Sequence, residues 1–252
     1  MQIVGYRRQS SDRPAAILVA DDGRIEAVPL ERGDELHYAL GPRRCAGVID
    51  GDRHVPCDAA DAPHCDAHRD TWVCARCTGT CLKDEMDCYQ EHAVYLAAFA
   101  PATFKVGVTR SERLETRLVE QGADRGAHVH TVSNGRIARE IEAELATDIG
   151  DSVRTTAKIE SLHREVDDDA WEDLLADHDV IDRFTFEYGL ALDDRPIRET
   201  IASGTVRGAQ GRLLALDRSG STYAVDVRDL VGHEVSIGSP DRDLQSTLGT
   251  FG

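Results

Sequence analysis

All seven cysteines of the 252-residue chain lie in one stretch, between Cys45 and Cys88. Thiolates at such short spacing are suited to binding a metal ion. The densest group has the spacing C-x-x-C-x3-C-x6-C, and a group with two cysteines and two histidines precedes it. The two candidate ligand sets are therefore Cys74, Cys77, Cys81 and Cys88, and His54, Cys57, Cys65 and His68.

Each set has the number and type of ligands that close a tetrahedral shell around zinc, so we expect one or two structural zinc ions. An iron–sulfur cluster on the four-cysteine set stays an alternative. Cys45 is left over, and it either replaces His54 as a ligand or is a buried thiol. The odd cysteine count and the lack of a signal-peptide core argue against a disulfide framework and favour a cytoplasmic protein.

A second group of residues that could do chemistry follows the cysteines. Tyr95 and Lys105 lie on two predicted strands, Arg117 on the next predicted helix, and Glu142 on a later one. Phosphodiester hydrolysis needs a positioned nucleophile, a cation beside the phosphoryl oxygens, and usually a metal ion held by a carboxylate. The ordinary alternatives are a core tyrosine, a solvated lysine, an arginine paired within its helix, and one acid among many.

The string VYL at 94–96 and the string KVGVTR at 105–110, with Arg117 after them, resemble the core of the GIY-YIG endonuclease superfamily. The resemblance implies that Tyr95 is the tyrosine of the first motif and that Arg117 is the helix arginine. Lys105 stands in the second motif, where many of these nucleases carry a tyrosine. Either Tyr95 or Lys105 would then orient or deprotonate the attacking water.

The same resemblance implies that Glu142 is the glutamate that holds one Mg²⁺ or Mn²⁺, with Glu140 as the second choice. Nearly the whole chain is also similar to an uncharacterised prokaryotic family of unknown function. In that family a multi-cysteine module precedes the same VYL and KVGVTR strings and a helix ending in QGA. The superfamily resemblance covers a smaller part, residues 92–149.

Charge is distributed unevenly along the chain. The net charge is -17, from 46 acidic and 29 basic residues, and only three of the basic residues are lysine. Such a composition indicates adaptation to a high-salt cytoplasm. Residues 104–140, in contrast, contain seven basic and five acidic residues, a net charge of +2. This cationic stretch favours a nucleic-acid phosphate as ligand, bound by Arg110, Arg113, Arg136 and Arg139.

Apolar periodicity and turn residues predict the elements that position these side chains. Residues 92–150 form a predicted β-β-α-β-α unit. Its elements are strands at 94–99 and 104–108, a helix capped by Thr109 with Glu112 and ending at Gly122, a strand at 128–132, and a helix at 137–149. The strands predicted in 1–44 and 200–238 together suit a small barrel. The fold class is therefore α+β.

We expect five segments: an N-terminal β segment (1–44), a zinc-binding module (45–91), the GIY-YIG-like core (92–150), a helical linker (151–199) and a barrel-like C-terminal segment (200–252). No apolar stretch is long enough to span a bilayer. The leading hypothesis is a zinc-containing nuclease that acts on nucleic acid. The alternatives are a non-catalytic nucleic-acid-binding protein and a zinc-stabilised adaptor that binds protein. The sequence predicts no oligomeric state.

Overall fold

The computed structural model describes residues 1–9, 13–69 and 89–238, and the chain divides into two compact units. The first unit comprises Met1–Arg69 and Tyr188–Gly252, and the second comprises Asp70–Glu187. The described residues form a mixed α+β structure that is mostly sheet, with fifteen strands and five α-helices. No helix among them is both long enough and apolar enough to cross a membrane.

The elements are short and separated by turns. The strands are β1 (Gln2–Arg7), β2 (Ala16–Asp21), β3 (Arg24–Pro29), β4 (Glu35–Arg43), β5 (Val48–Asp50), β6 (Arg53–Val55), β7 (His92–Phe99), β8 (Thr103–Arg110), β9 (Arg125–Val132), β10 (Asp182–Thr185), β11 (Ile197–Arg198), β12 (Ala202–Gln210), β13 (Leu213–Arg218), β14 (Ser221–Asp226) and β15 (His233–Ile237). The helices are α1 (Leu114–Gln121), α2 (Gly135–Leu145), α3 (Thr155–Ser161), α4 (Asp168–Leu175) and α5 (Val227–Leu230).

The first unit is one sheet to which both ends of the chain contribute. Its eleven described strands have the order β11-β14-β13-β12-β4-β15-β1-β2-β3-β6-β5. N-terminal strands pair with C-terminal strands, as β4 does with β12 and β15 and as β1 does with β15. The core lies on alternate strand positions, such as Ile17 and Val19 of β2 and Leu214 and Leu216 of β13.

The predicted small barrel is not present as a closed barrel, because the sheet is open within the described residues. A barrel closes when its two outer strands pair with each other along a staggered register. The outer strands here are β11, which has two residues and pairs with β14, and β5, which has three residues and pairs with β6. Strands of this length offer too few backbone groups to close a sheet.

The second unit is built on a four-stranded antiparallel sheet with the order β10-β9-β7-β8. All eight residues of β7 are buried, because helices cover both faces of this central strand. Tyr95 and Ala97 point to the face on which Leu118 of α1 packs. The alternate residues Val94 and Leu96 point to the face that α2 and α4 cover. The order β7-β8-α1-β9-α2 is the order that the sequence predicted.

Two predicted helix starts differ from the structure. Thr109 does not cap a helix, since it lies within β8, which stays paired with β7 as far as Arg110 opposite His92. A single 3-10 turn follows, and α1 begins only at Leu114. The helix α2 starts at Gly135, where the side chain of Asn134 accepts a hydrogen bond from the backbone N–H of Ile137.

The predicted end of the first helix is confirmed. Gly122 follows α1 with φ +69°, a left-handed conformation that glycine adopts without steric cost. Its backbone N–H closes the last turn of the helix on Leu118 and Val119. This turn fixes how far α1 runs along the sheet, and with it the positions of the polar residues on that helix.

Candidate functional site

Three cysteines and one histidine converge in the first unit. The ligand atoms of Cys45, Cys57, Cys65 and His68 all lie within 4.8 Å of one another. Cys45 lies between β4 and β5, and the other three lie in the loop that follows β6. The Sγ atoms of Cys45 and Cys65 are 3.7 Å apart, and the Nδ1 atom of His68 is 3.3 Å and 3.4 Å from them.

These distances suit a tetrahedral metal ion. With Zn–S bonds of about 2.3 Å, two sulfurs of a tetrahedral zinc site lie about 3.8 Å apart. The 3.7 Å between Cys45 and Cys65 agrees with this geometry, and both residues are buried free thiols. The cluster can therefore hold a metal ion such as zinc. Four protein ligands complete its coordination, which is the arrangement of a structural site.

Backbone groups hold the Cys45 thiol in a form that binds metal. Burial raises its pKa, but hydrogen bonds from the N–H groups of Cys65 and Gly47 and contacts with His68 outweigh burial, and the pKa falls to about 6. The two N–H donors lie 3.3 Å and 3.4 Å from the sulfur. The thiolate is therefore the main form at neutral pH, and the thiolate is the metal ligand.

His54 lies outside the cluster. It is on β6 opposite Ile49, and its Nε2 atom is 2.8 Å from the carbonyl oxygen of Ala46. Cys45 takes the fourth position instead, which is the alternative that the sequence left open. The sequence signal for Cys45 was weak because no second ligand stands at two-residue spacing from it. The other predicted set, Cys74, Cys77, Cys81 and Cys88, lies outside the described residues.

The candidate catalytic residues lie in the second unit, and Tyr95 is at their centre. Tyr95 lies opposite Gly107 on the neighbouring strand, and its ring covers that glycine. A Cβ atom at residue 107 would lie 2.5 Å from the Tyr95 hydroxyl oxygen, so only glycine fits. Gln121 of α1 donates a hydrogen bond of 2.6 Å to the hydroxyl.

Lys105 lies on the same face of the sheet as Tyr95, opposite Ala97. Burial lowers the pKa of Lys105, and the positive charge of Arg117 lowers it further, whereas the negative charge of Glu142 raises it. The pKa of Tyr95 is raised by burial, with Arg117 acting to lower it and Glu142 to raise it. The charges of Arg117 on α1 and Glu142 on α2 thus act on the polar groups of β7 and β8. Tyr95 lies on the face that α1 covers, whereas α2 packs on the other face, so a common site of all four residues stays a prediction.

Glu142 is mostly buried, with 13% of its side chain exposed, and it is already paired. Its Oε2 atom accepts a hydrogen bond from the guanidinium of Arg139, three residues earlier on α2. A hard divalent ion takes carboxylate oxygens and several waters as ligands. Glu142 is paired with Arg139 in this arrangement, and the binding of Mg²⁺ or Mn²⁺ at Glu142 stays a prediction.

Two of the four predicted phosphate-binding arginines, Arg113 and Arg136, have exposed guanidinium groups that form ion pairs. Arg113 and Arg117 both pair with Glu120, at 3.1 Å and 3.2 Å, and Arg136 pairs with Glu140 at 3.0 Å. Glu140, the second choice for a metal ligand, is thereby also engaged. Exposed pairs contribute little stability, about 0–1 kcal/mol, and can exchange their carboxylate for another anion. Arg110 ends β8, and Arg139 pairs with Glu142.

Two polar residues near this site were not predicted. Gln121 bonds Tyr95, and a signal was present, since it stands four residues after Arg117 and therefore on the same helix face. Asp151 follows α2, and its charge raises the pKa of Lys105. Nothing in the local sequence separates Asp151 from the many other acids of the chain, because its position depends on how the segment after α2 folds back.

A comparison with known protein families matches residues 54–188 to a family described as "Protein of unknown function (DUF2797)". The matched residues are more than half of the chain and include Tyr95, Lys105, Arg117 and Glu142. Cys45 lies before them. Comparisons with curated proteins and with solved structures give no match.

Proposed function

The chain belongs to the DUF2797 family of proteins of unknown function, and we propose that it binds and cleaves nucleic-acid phosphodiesters. The site is formed by Tyr95, Lys105, Arg117 and Glu142. The observation that carries the proposal is that β7 and β8 place Tyr95 and Lys105 on one face of the sheet, where Gln121 of α1 bonds the Tyr95 hydroxyl. The charge of Arg117 on the same helix acts on both residues. The positive charges of Lys105 and Arg117 suit an anionic ligand. With Tyr95 beside them, the three residues suit a ligand whose bond can be hydrolysed.

Burial separates the roles of the two candidate bases. It favours the neutral form of each group, so the pKa of Tyr95 rises and the pKa of Lys105 falls. A neutral amine accepts a proton, whereas a neutral phenol donates a hydrogen bond. We therefore assign Lys105 as the proton acceptor, and Tyr95, whose buried side chain is bonded to Gln121, as the residue that positions the polar groups of α1.

The proposed reaction is hydrolysis. The oxygen of a water molecule bonds to phosphorus, its proton passes to the amine of Lys105, and the bond from phosphorus to one sugar oxygen breaks. The leaving oxygen takes a proton from solvent. The guanidinium of Arg117 offers a planar pair of donors to the phosphoryl oxygens, whose negative charge grows in the transition state. Arg113, which shares Glu120 with Arg117, extends this cationic surface.

We also propose that the metal ion of the Cys45, Cys57, Cys65 and His68 cluster is zinc with a structural role. Support comes from the sulfur–sulfur distance and from the complete set of four ligands, which leaves no position for a substrate. The loop that carries three of the ligands has no helix or strand over residues 56–69. Backbone bonds from Cys45 and Ala46 to the carbonyl oxygens of Ala59 and Pro63 already hold part of this loop, and a bound ion would add side-chain cross-links to them.

The test uses the full chain with labelled single-stranded and duplex DNA and RNA. Cleavage is measured with no added divalent ion and with Mg²⁺ or Mn²⁺. We expect Lys105→Met and Arg117→Ala each to reduce cleavage about 100-fold or more, the range of a lost acid–base or charge-stabilising group. Arg183→Gln is the matched control, because Arg183 forms an exposed ion pair with Glu172 in the same unit and should keep full activity. Wild-type activity of both variants would contradict the assignment.

A non-catalytic nucleic-acid-binding protein is the second candidate, and the pairing of Glu142 with Arg139 favours it. In that case the wild type would bind a labelled oligonucleotide and never cleave it under any of these ion conditions. Glu142→Gln further distinguishes the nuclease from the non-catalytic binding protein. This substitution should alter cleavage only if the Glu142 carboxylate takes part in the site. Absence of both binding and cleavage would favour the protein-binding adaptor.

A further inference from the structure

We propose that Lys158 is a positioning residue of this site, whose ammonium group fixes the end of α1 against β7 and thereby holds Arg117 in place for a phosphoryl oxygen. The inference rests on the proposed function and extends it to a residue outside the four predicted ones. It is carried by a continuous set of contacts from Lys158 through Gln121 to Tyr95, all within the second unit.

Two contacts define the position of the Lys158 ammonium group. Its Nζ atom donates a hydrogen bond of 2.8 Å to the backbone carbonyl oxygen of Gln121, the last residue of α1. The same atom lies 3.7 Å from the centre of the ring of Phe99, the last residue of β7. A cation over an aromatic ring is attracted by the negative charge of the ring face. Lys158 therefore connects the end of the helix to the end of the strand.

The carbonyl group of Gln121 is a favourable acceptor for a cation. The last four carbonyl groups of a helix have no amide partner within the helix, and the negative end of the helix dipole lies there. The N–H of Gly122 closes the last turn on Leu118 and Val119 and not on Gln121. The ammonium group of α3 supplies the donor that this carbonyl requires.

Gln121 is attached to β7 at two points. Its side-chain Nε2 atom donates to the Tyr95 hydroxyl at 2.6 Å and to the carbonyl oxygen of Arg117 at 3.1 Å. Its backbone carbonyl is attached to Phe99 through Lys158. Tyr95 and Phe99 are buried on the same face of β7, four residues and therefore about 13 Å apart along the strand. Two attachments this far apart prevent the end of α1 from rotating about either one.

The position of Arg117 depends on this last turn, because Arg117 lies one turn before Gln121 on α1. Burial raises the pKa of Tyr95, and the charge of Arg117 and hydrogen bonds from Gln121 and Arg117 oppose the rise. Both helix residues thus act on the Tyr95 hydroxyl. Without the Lys158 ammonium group, Gln121 keeps its attachment to Tyr95 and loses the one to Phe99, and the turn that carries Arg117 is held less firmly.

The first test measures the contact in the wild-type protein by NMR. The chain has three lysines, so protein labelled with ¹³C-lysine gives few Cε signals, and Lys158→Arg identifies the one of interest. We expect the ring current of Phe99 to move the Cε–H signal of Lys158 to higher field. A signal at the field of a solvent-exposed lysine would overturn the proposal. This measurement does not depend on how any substitution affects folding.

The second test follows the Tyr95 hydroxyl. Tyrosine labelled with ¹³C at Cζ reports the hydrogen bonds of each hydroxyl, and Tyr95→Phe identifies one signal among six. We expect this signal to move in Lys158→Met and to return toward its wild-type position in Lys158→Arg, which keeps a cationic donor. Arg154→Met is the matched control, because it removes a positive charge from an exposed residue at the start of α3 whose side chain makes no cap bond. An unchanged signal in Lys158→Met, or an equal movement in Arg154→Met, would overturn the proposal.

The kinetics of cleavage are the third readout. A displaced Arg117 stabilises the transition state less, so Lys158→Met should lower kcat about 10-fold or more with little change in KM. A moved Tyr95 signal with an unchanged kcat overturns the positioning role of Lys158 and leaves the proposed function standing. A wild-type protein that never cleaves contradicts the proposed function, whereas the Tyr95 signal still tests the link from Lys158 to the hydroxyl.

Discussion

Cys45 differs from the other ligands of the metal cluster, because it follows a long central strand, whereas the others lie in one irregular loop. Its Sγ atom is within 3.7 Å of both the Cys65 sulfur and the His68 Nδ1 atom. It is therefore the ligand that connects the loop to the sheet. A thiol in this position contributes to metal affinity and also limits the conformations of the loop.

We predict that Cys45→Ser loses one equivalent of zinc per chain, since a hydroxyl is a much poorer ligand than a thiolate. Metal content of the purified protein, measured by mass spectrometry, gives the result. His54→Ala is the control, because His54 bonds the carbonyl of Ala46 and lies outside the cluster. A zinc loss in His54→Ala equal to that in Cys45→Ser would contradict the ligand assignment.

Gly107 is the residue that makes room for Tyr95. We predict that Gly107→Ala destabilises the protein by about 1–3 kcal/mol, because the added Cβ atom would lie 2.5 Å from the Tyr95 hydroxyl oxygen and force the ring to shift. Urea denaturation measures the change. Gly41→Ala is the matched control, since its added Cβ atom would lie 3.3 Å from its nearest neighbour and should lower the free energy of unfolding less. Equal losses of unfolding free energy in the two variants would mean that the position of the Tyr95 ring does not require glycine at residue 107.

At the scale of elements, α2 is positioned by its first turn. The side chain of Asn134 bonds the N–H of Ile137, and the helix then carries Arg139 and Glu142. We predict that Asn134→Ala lowers the free energy of unfolding by about 1 kcal/mol, the usual contribution of an N-cap. Asn134→Asp keeps an acceptor oxygen and should restore most of the stability. Thermal or urea unfolding of the three proteins checks this, and equal stability of Asn134→Ala and wild type would contradict it.

The elements of the second unit were largely predictable from sequence, because each carries a strong local signal. The apolar run from Val94 to Phe99 has no polar group except the Tyr95 hydroxyl and is only six residues long, which favours a buried strand. The helix α1 ends directly before Gly122, as the sequence predicted. The start of that helix was not predictable, since Thr109 is a good helix cap and an equally good strand residue. Pairing with β7 decides between them, and pairing is a non-local property.

The arrangement of the first unit was only partly predictable. Its strands have local signals, but whether they close into a barrel depends on strands as short as Ile197–Arg198, which have almost no signal. The metal ligands were also only partly predictable from sequence. Two-residue spacing identified Cys65 and His68, whereas the choice between His54 and Cys45 depends on where a distant strand ends. Asp151 was missed for the same reason.

At the scale of the whole molecule, the two units should respond differently to loss of the Cys45 cluster. We predict faster hydrogen exchange in the loop 56–69 of Cys45→Ser, because the cluster holds this loop while helix and strand bonds do not. The strand β7 should keep its protection, since none of the four ligands belongs to its unit. Exchange measured by mass spectrometry compares the two regions in one experiment. Equal loss of protection in both would show that the cluster stabilises the entire chain.

The net charge of -17 should make stability depend on salt. Like charges repel one another more strongly in the compact folded state, and salt shortens their range from about 10 Å at 0.1 M to about 3 Å at 1 M. We therefore predict that the melting temperature rises as sodium chloride increases over this interval. A variant with several exposed, unpaired Asp and Glu residues changed to Asn and Gln is the control, and its melting temperature should depend less on salt. The same salt weakens phosphate contacts, so binding to nucleic acid should fall while stability rises. A melting temperature that salt leaves unchanged would mean that carboxylate repulsion is not a large destabilising term in this protein.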